Sequence, residues 1–339
     1  MLRETLSTTL KVVGSTMINT PSEHFKEVPY YVLLLRDEKG YFSAKRSFEN
    51  KLIGEEYSSG EKKSRDYSIG VIGTGVSGKG LVQACLSHDF RVVWKTRNKD
   101  TANLEWARIK NQLNRGFSSD EITEMKKKLI ITDDFSNLSS CDLVIEAVVE
   151  NLEVKRQVLE QIESFHDGVI VSNTSSISIN KLSQRMRRPE LFAGMHFFTP
   201  IHKMKLVELI CGKETAHETL LVLVDISKRL GKNPITLNDS PGFVVNRVMI
   251  PYLQESVILL EKGISDKANI DTAVKLGLNF PMGPFELIDL IGLDIFKEIV
   301  ESLYLETKEE KFLVRPLIMQ MIKDNKLGRK TGVGFYKYK

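Results

Sequence analysis

The sequence predicts an α/β protein built on a mostly parallel sheet with helices on both faces. A small β domain precedes the sheet and an all-helical C-terminal domain follows it. Three observations carry this. Between residues 67 and 239, short apolar runs suited to strands alternate with helical patterns, as in a parallel sheet closed by crossover helices. The run Ile72-Gly73-Thr74-Gly75-Val76-Ser77-Gly78 lies between the first such strand and the helix after it. Beyond Asp239 the strand signals fade and apolar residues recur at helical spacing.

Residues 1–57 read as the small β domain. Residues 10–17 and 30–35 are rich in β-branched, aromatic and aliphatic side chains, and Asp37-Glu38-Lys39-Gly40 marks a hairpin turn into Tyr41-Phe42-Ser43-Ala44-Lys45. Residues 58–66 are polar and small, as a linker is. In residues 67–239 the strand candidates are 68–72, 91–94, 143–147, 169–172, 191–196 and 207–210. Residues 240–339 form the helical domain. Its helices cover 243–262, with Pro251 as a point of kinking, then run from an Asp266 cap to about Gly277, and then cover 285–304 with a break near Gly292.

The 339 residues suffice for two or three domains, each with its own core. With 42% hydrophobic and 27% charged residues, the balance is that of an ordinary soluble globular protein. A net charge of +4, spread along the chain, points to neither nucleic acid nor membrane. The clusters Lys126-Lys127-Lys128 and Arg185-Met186-Arg187-Arg188 read first as solvated helix faces and only second as phosphate contacts. Cys85, Cys141 and Cys211 are scattered and lack metal-ligand spacing. Buried reduced thiols are expected rather than disulfides or a nucleophile, and no metal. No apolar run reaches the roughly 20 residues of a membrane span, and no apolar leader follows Met1. A cytoplasmic protein is expected.

In the glycine turn, the first glycine permits the tight bend, the second lets the backbone approach a pyrophosphate, and the third lets the helix pack on the strand. Phosphate charge then meets the helix N-terminus. Gly73, Gly75 and Gly78 thus mark a dinucleotide site in a Rossmann-type sheet, against the plainer alternative of a strand-to-helix turn with incidental glycines. A site that prefers NAD places Asp or Glu about 20 residues further on, to accept from the ribose hydroxyls. Here the second strand ends Val93-Trp94-Lys95-Thr96-Arg97, with Thr96 in the acid's place. A 2′-phosphate is then not repelled, and Arg97, with Lys95 or Lys99, offers it a cation. NADP(H) is the expected cofactor, with NAD(H) accepted if Arg97 only stacks on adenine.

His196 lies in the run Phe192-Ala193-Gly194-Met195-His196-Phe197-Phe198-Thr199-Pro200, and Glu208 in a second apolar segment. Histidine titrates near working pH, so it suits an alcohol dehydrogenase that takes a hydroxyl proton as hydride leaves. A carboxylate on its other ring nitrogen would fix the tautomer. Ser175 lies just past a strand end, where α/β sheets place ligands. Asn246 opens the helical domain and can reach over the cleft. From the residues alone the plainer set stands ahead: a core histidine, a surface acid, a cap at Ser175 and a polar helix position at Asn246.

Residues 67–339 resemble the 3-hydroxyacyl-CoA dehydrogenase family, including its short-chain 3-hydroxybutyryl-CoA members. The matching stretches run the length of the region. They are Glu146-Ala147-Val148-Val149-Glu150-Asn151-Leu152-Glu153-Val154-Lys155, Ser172-Asn173-Thr174-Ser175-Ser176, Gly194-Met195-His196-Phe197-Phe198 and Met204-Lys205-Leu206-Val207-Glu208. Further on come Pro241-Gly242-Phe243-Val244-Val245-Asn246-Arg247, Pro281-Met282-Gly283-Pro284-Phe285-Glu286-Leu287 and Gly328-Arg329-Lys330-Thr331-Gly332-Val333-Gly334-Phe335-Tyr336. The resemblance implies that His196 is the acid/base, Glu208 orients it, and Ser175 and Asn246 hold the substrate's C3 oxygen and thioester carbonyl. It places Glu150 and Lys155 on the nicotinamide ribose side of the cofactor. It implies interconversion of an (S)-3-hydroxyacyl-CoA and a 3-oxoacyl-CoA, in a homodimer built through the helical domain.

The chain also departs from the family's pattern. Thr199 stands where Asn is usual, Ser77 replaces a common Met, and Asp89 an expected Gly. The segment between Thr96 and Asp142, a CoA-holding helical hairpin in the family, is shorter than usual, with Arg115 and Lys126 to Lys128 as its phosphate candidates. An acyl-carrier-protein thioester is therefore a second expected substrate. Residues 1–57 resemble the OB-fold half of acyl-CoA-associated proteins, and imply docking of a thiolase-like or acyl-carrier partner. The rival readings are a dehydrogenase of a non-thioester hydroxy acid and a non-catalytic thioester-binding protein.

Overall fold

The computed structural model describes residues 10–18, 30–36, 42–47, 56–57 and 67–338. They fall into two compact units, Met1–Asp66 and Tyr67–Lys339. In the first unit, β1 (Leu10–Ile18), β2 (Tyr30–Arg36), β3 (Phe42–Ser47) and β4 (Glu56–Tyr57) form a sheet in the order β3-β2-β1-β4. The pairs are antiparallel, and β1 is paired along both edges. Its register with β2 shifts between Val12 and Gly14, a bulge that bends the strand. The turn read at residues 37–40 and the linker at 58–66 lie outside the described residues.

The second unit opens with an eight-stranded sheet. Its strands are β5 (Ser68–Ile72), β6 (Arg91–Lys95), β7 (Leu129–Thr132), β8 (Leu143–Glu146), β9 (Val169–Ser172), β10 (Phe192–Phe197), β11 (Leu206–Cys211) and β12 (Asn233–Asn238). They lie in the order β12-β11-β10-β9-β8-β5-β6-β7. Every neighbouring pair is parallel except β10 and β11. The parallel sheet read from the sequence is therefore present, with two more strands than expected. Both extra strands are edges. β12 is half exposed and polar, with Pro234 in it, and β7 is four residues long with Ile130 facing outward. Neither carries the continuous apolar run of a strand buried on both faces.

Helices α1 (Val76–Ser87), α2 (Lys99–Leu113), α3 (Ser119–Lys127), α4 (Leu152–Glu163), α5 (Ile179–Ser183) and α6 (His217–Arg229) accompany the sheet. One core contains Leu81, Val92, Trp94, Ile145 and Met195; a second contains Ile72, Val93, Val144, Leu159 and Ile170. Alternate residues of the same strands feed the two cores, as the period of a strand requires. The short segment after β6 still forms a helical hairpin. Asn98 caps α2, and Ser118 with Glu121 makes a reciprocal capping box on α3. Asp89, in the place of the expected glycine, holds φ at +68° and pairs with Lys128. Aspartate is among the few side chains that tolerate this region.

The chain then passes into α7 (Val245–Glu261), α8 (Lys267–Gly277), α9 (Pro284–Ile291), α10 (Leu293–Thr307) and α11 (Pro316–Lys323). Asp266 caps α8 through the Asn269 N–H, and Gly292, at φ +96°, separates α9 from α10. Phe285, Phe296 and Phe312 have no exposed surface in this core, each burial stabilising by about 1.5–3 kcal/mol. Asp289 ties the C-terminal strip to it, accepting from the N–H of Phe335 and Tyr336 and the hydroxyl of Tyr338.

The three cysteines are free; burial pushes the Cys85 thiol up to about 12 and Cys141 to about 11, which suppresses their thiolates. In the basic clusters Lys127 pairs with Glu124, Lys128 with Asp89, Arg185 with Glu153 and Arg188 with Asp167. Among the described residues no helix is long and apolar enough to cross a membrane, and no cluster of three or more His, Cys, Asp or Glu could hold a metal.

Candidate active site

The glycine turn joins β5 to α1. Gly73 holds φ at +119°, and a Cβ there would lie 2.4 Å from the Ala147 carbonyl oxygen. A Cβ on Gly78 would lie 2.2 Å from the oxygen of Gly73, so only glycine lets α1 pack this closely. Gly75 is different: nothing lies within 4 Å of where its Cβ would be. That open side faces away from the protein's own packing, and the N-terminus of α1 has no side-chain cap. Free N–H groups beside an open backbone suit a pyrophosphate. The chain's residues therefore fit a dinucleotide.

At the end of β6 the cations separate. Lys95 is buried, with its ammonium 3.8 Å from the centre of the Phe135 ring. Burial lowers its pKa. Lys99 pairs with Asp133 at 2.8 Å. Thr96 is buried, and its hydroxyl is engaged with Asn98 at 2.6 and 2.8 Å. Arg97 is exposed and has no hydrogen-bonding partner among the described residues. Of the three cations expected to serve a 2′-phosphate, only Arg97 is available.

His196 and Glu208 face each other across the antiparallel pair β10–β11. His196 Nδ1 lies 2.7 Å from Glu208 Oε2, with Glu208 wholly buried and His196 6% exposed. The imidazole packs between Phe198 and Phe243, at 4.6 and 5.6 Å between ring centres. The other carboxylate oxygen of Glu208 accepts from the N–H groups of Val244 and Val245, each at 3.0 Å, at the start of α7. Burial raises the Glu208 pKa, but the bonds from His196, Val245 and Val244 outweigh it and hold the carboxyl below the usual range. The pair is thus an ionised acid on Nδ1, with Nε2 left for a substrate.

Ser175 follows β9, and the loop is pinned by Glu150. Glu150 Oε1 accepts from the hydroxyls of Thr174 and Ser176 and from the N–H groups of Ser175 and Ser176, at 2.6–3.0 Å. Asn246, in the first turn of α7, donates from Nδ2 to the Ser175 carbonyl at 3.3 Å. Asn173, two residues before Ser175, accepts from the Phe197 N–H at 3.0 Å, joining the loop to β10 beside His196. The structure therefore brings His196, Glu208, Ser175 and Asn246 together around β10.

Lys155 is held inside the fold by two acids. It is 1% exposed, because it serves Glu146 Oε1 at 2.8 Å and Glu150 Oε2 at 3.3 Å. Sequence reasoning missed Glu146 and Phe243. An acid ending a buried apolar strand was the available signal for the first; the second is a +52° φ residue that no composition reveals.

A mostly parallel sheet with a glycine turn and a buried imidazole–carboxylate pair, followed by a helical domain, defines a nicotinamide-dependent dehydrogenase. Residues 68–240 match the family pattern described as the 3-hydroxyacyl-CoA dehydrogenase NAD binding domain, and residues 242–338 the same family's C-terminal domain. The chain belongs to the 3-hydroxyacyl-CoA dehydrogenase family. It is 40% identical to the mitochondrial hydroxyacyl-coenzyme A dehydrogenase of Sus scrofa, over 80% of this chain and 91% of that protein. It is 38% identical to 3-hydroxybutyryl-CoA dehydrogenase of Clostridioides difficile, over 80% and 99%. The crystal structure of (S)-3-hydroxybutyryl-CoA dehydrogenase from Ralstonia eutropha superposes with a TM-score of 0.77 at 37% identity, covering 80% of this chain and 99% of that one.

Three outcomes follow from this geometry. Gly75→Ala, which meets nothing in the fold, should leave the melting temperature unchanged while raising the cofactor KM by on the order of tenfold; unchanged binding would show that the backbone is not approached there. Glu208→Gln keeps an acceptor for α7 but donates to His196 Nδ1, enforcing the wrong tautomer. It should lower kcat on the order of 10²–10⁴-fold. The depressed Glu208 pKa contributes stability that is complete above the ordinary carboxylate range and lost as pH falls through the lower folded value. Acid unfolding of Glu208→Gln should therefore depend less on pH below that range.

Proposed function

We propose that the protein interconverts a short-chain (S)-3-hydroxyacyl-CoA and the corresponding 3-oxoacyl-CoA, with His196 as its acid/base. The observation that carries this is the 2.7 Å His196–Glu208 contact on strands of one register. In the oxidative direction His196 Nε2 takes the hydroxyl proton while the C3 hydrogen leaves as hydride. The nicotinamide supplies the hydride acceptor when bound. Glu208 holds the tautomer and balances the imidazolium charge. Ser175 and Asn246 hold the C3 oxygen and thioester carbonyl, and Glu150 positions the nicotinamide ribose. In reduction the same imidazolium returns its proton to the oxygen.

A cleft of about 230 Å³ begins three residues beyond His196, lined by Val76, Lys79, Arg108, Gln112, Thr199 and His202 among others. We assign the pantetheine arm to it. Glu105 already pairs with Lys79 at 2.9 Å and Arg108 at 2.6 Å, so these cations are shared rather than waiting for phosphate. That supports acceptance of carrier-protein thioesters beside CoA.

The absence of an acid at Thr96 and the unpaired Arg97 support NADP(H) over NAD(H). Exposed Val248, Leu276, Leu278 and Leu305 on the helical domain support a homodimer formed there. The antiparallel order β3-β2-β1-β4 with a bulged, doubly paired β1 supports reading residues 1–57 as an OB-like appendage that docks a thiolase-like or acyl-carrier partner. We place the domain limits at 67–239 and 240–339, and the protein in the cytoplasm.

Reduction of acetoacetyl-CoA, followed by loss of NADPH and separately NADH absorbance, tests the reading. Turnover with a higher kcat/KM for NADPH is expected, with His196→Ala losing most of the rate while still binding cofactor; a clear NADH preference sinks the cofactor assignment, and no turnover sinks the activity. Sedimentation should give a dimer, and a variant lacking residues 1–60 should stay dimeric and keep hydride transfer; a monomer, or a folded but inactive truncation, would contradict these assignments.

A further inference from the structure

We propose that Glu146, buried at the end of β8, is a positioning residue for hydride transfer: with Lys155 it fixes Glu150, and Glu150 fixes the loop that carries Ser175. Glu146 ends β8, between β5 and β9, and has no exposed surface. Its four short contacts use both oxygens. Oε1 accepts from the Val148 N–H at 2.7 Å and Lys155 Nζ at 2.8 Å; Oε2 accepts from Ser172 Oγ at 2.6 Å and Lys155 Nζ at 3.1 Å. Lys155 reaches back from α4 and also touches the Val148 carbonyl at 3.4 Å. Its remaining capacity goes to Glu150 Oε2 at 3.3 Å. Glu150 thus has one oxygen held by the ammonium and the other held by four donors of residues 174–176.

Stability does not account for this arrangement. Two buried ions lose their hydration, and an apolar pair of like volume is commonly as stable. What an apolar pair cannot do is hold a second carboxylate in place. The buried ammonium lies between two acids, and only one of them, Glu150, is partly exposed. The chain of contacts therefore runs outward, from Glu146 through Lys155 and Glu150 to the backbone of Ser175. It also ends two strands, β8 and β9, at a common height through Ser172, directly below the loop.

The inference rests on Ser175 holding the substrate oxygen, so its test includes a readout independent of turnover. In the double variant Glu146→Gln/Lys155→Met, the amide oxygen still accepts from the Val148 N–H and the amide nitrogen can donate to Ser172 Oγ, but both charges are gone. The expected result is a melting temperature near the parent's, faster hydrogen–deuterium exchange at the amides of Ser175 and Ser176, and a kcat lower by about tenfold with the thioester KM little changed. Slow exchange at those amides with a parental kcat would overturn the proposal and leave the pair a core element only. Faster exchange without any turnover in the parent would instead sink the dehydrogenase reading while sparing the positioning. Should the double variant fail to fold, Glu146→Asp, which keeps the charge and withdraws it by one methylene, should show the same loosening and a reduced kcat; full activity with parental exchange would reject the idea.

Discussion

The site depends on the register of one strand pair. β10 and β11 are the only antiparallel neighbours in the eight-stranded sheet, and their register sets His196 opposite Glu208. Facing residues on adjacent strands hold their side chains within bonding reach. A slip of one residue would turn the carboxylate to the opposite face of the sheet and leave the imidazole without its partner. The reversal of direction also explains why the chain can follow β10 with a short excursion over the cleft and return. A parallel neighbour would need a longer crossover, and Thr199 to His202 would not be free to line the cleft.

That same carboxylate caps the first helix of the C-terminal domain through Val244 and Val245. An acid at a helix N-terminus is favourable electrostatically, and a buried acid is tolerable only when its lone pairs are used. Glu208 satisfies both conditions at once. Strand register, imidazole orientation and the docking of α7 are consequently one arrangement rather than three.

Much of this was legible in the sequence, and for identifiable reasons. The central strands announce themselves because burial on both faces demands unbroken apolar runs. Gly73 and Gly78 are legible because no other residue fits, and Asp266 and Gly292 because caps and breaks need particular chemistry. The edge strands β7 and β12 were not, since an edge asks only one apolar face or none. At the site, residue types were readable but contacts were not. Lys155 sits in a motif that suggests a ligand, yet its ammonium is enclosed between Glu146 and Glu150. Lys95 and Lys99 look equivalent to Arg97 in sequence, but Phe135 and Asp133 claim them. For Lys95 and Lys99 the deciding partners, Phe135 and Asp133, lie on a different stretch of chain, which no local pattern encodes.

The two-sided engagement of Glu208 has a thermodynamic corollary. Donors on one oxygen withdraw electron density that the other would offer to the imidazole. Any movement that draws the start of α7 away from the sheet removes two such donors and leaves the acid more basic, so its grip on an imidazolium tightens. By linkage the effect is reciprocal: charging His196 must alter, by the same free energy, how firmly α7 is held. The proton on the His196 ring and the posture of the helical domain are thus entries in a single binding polynomial.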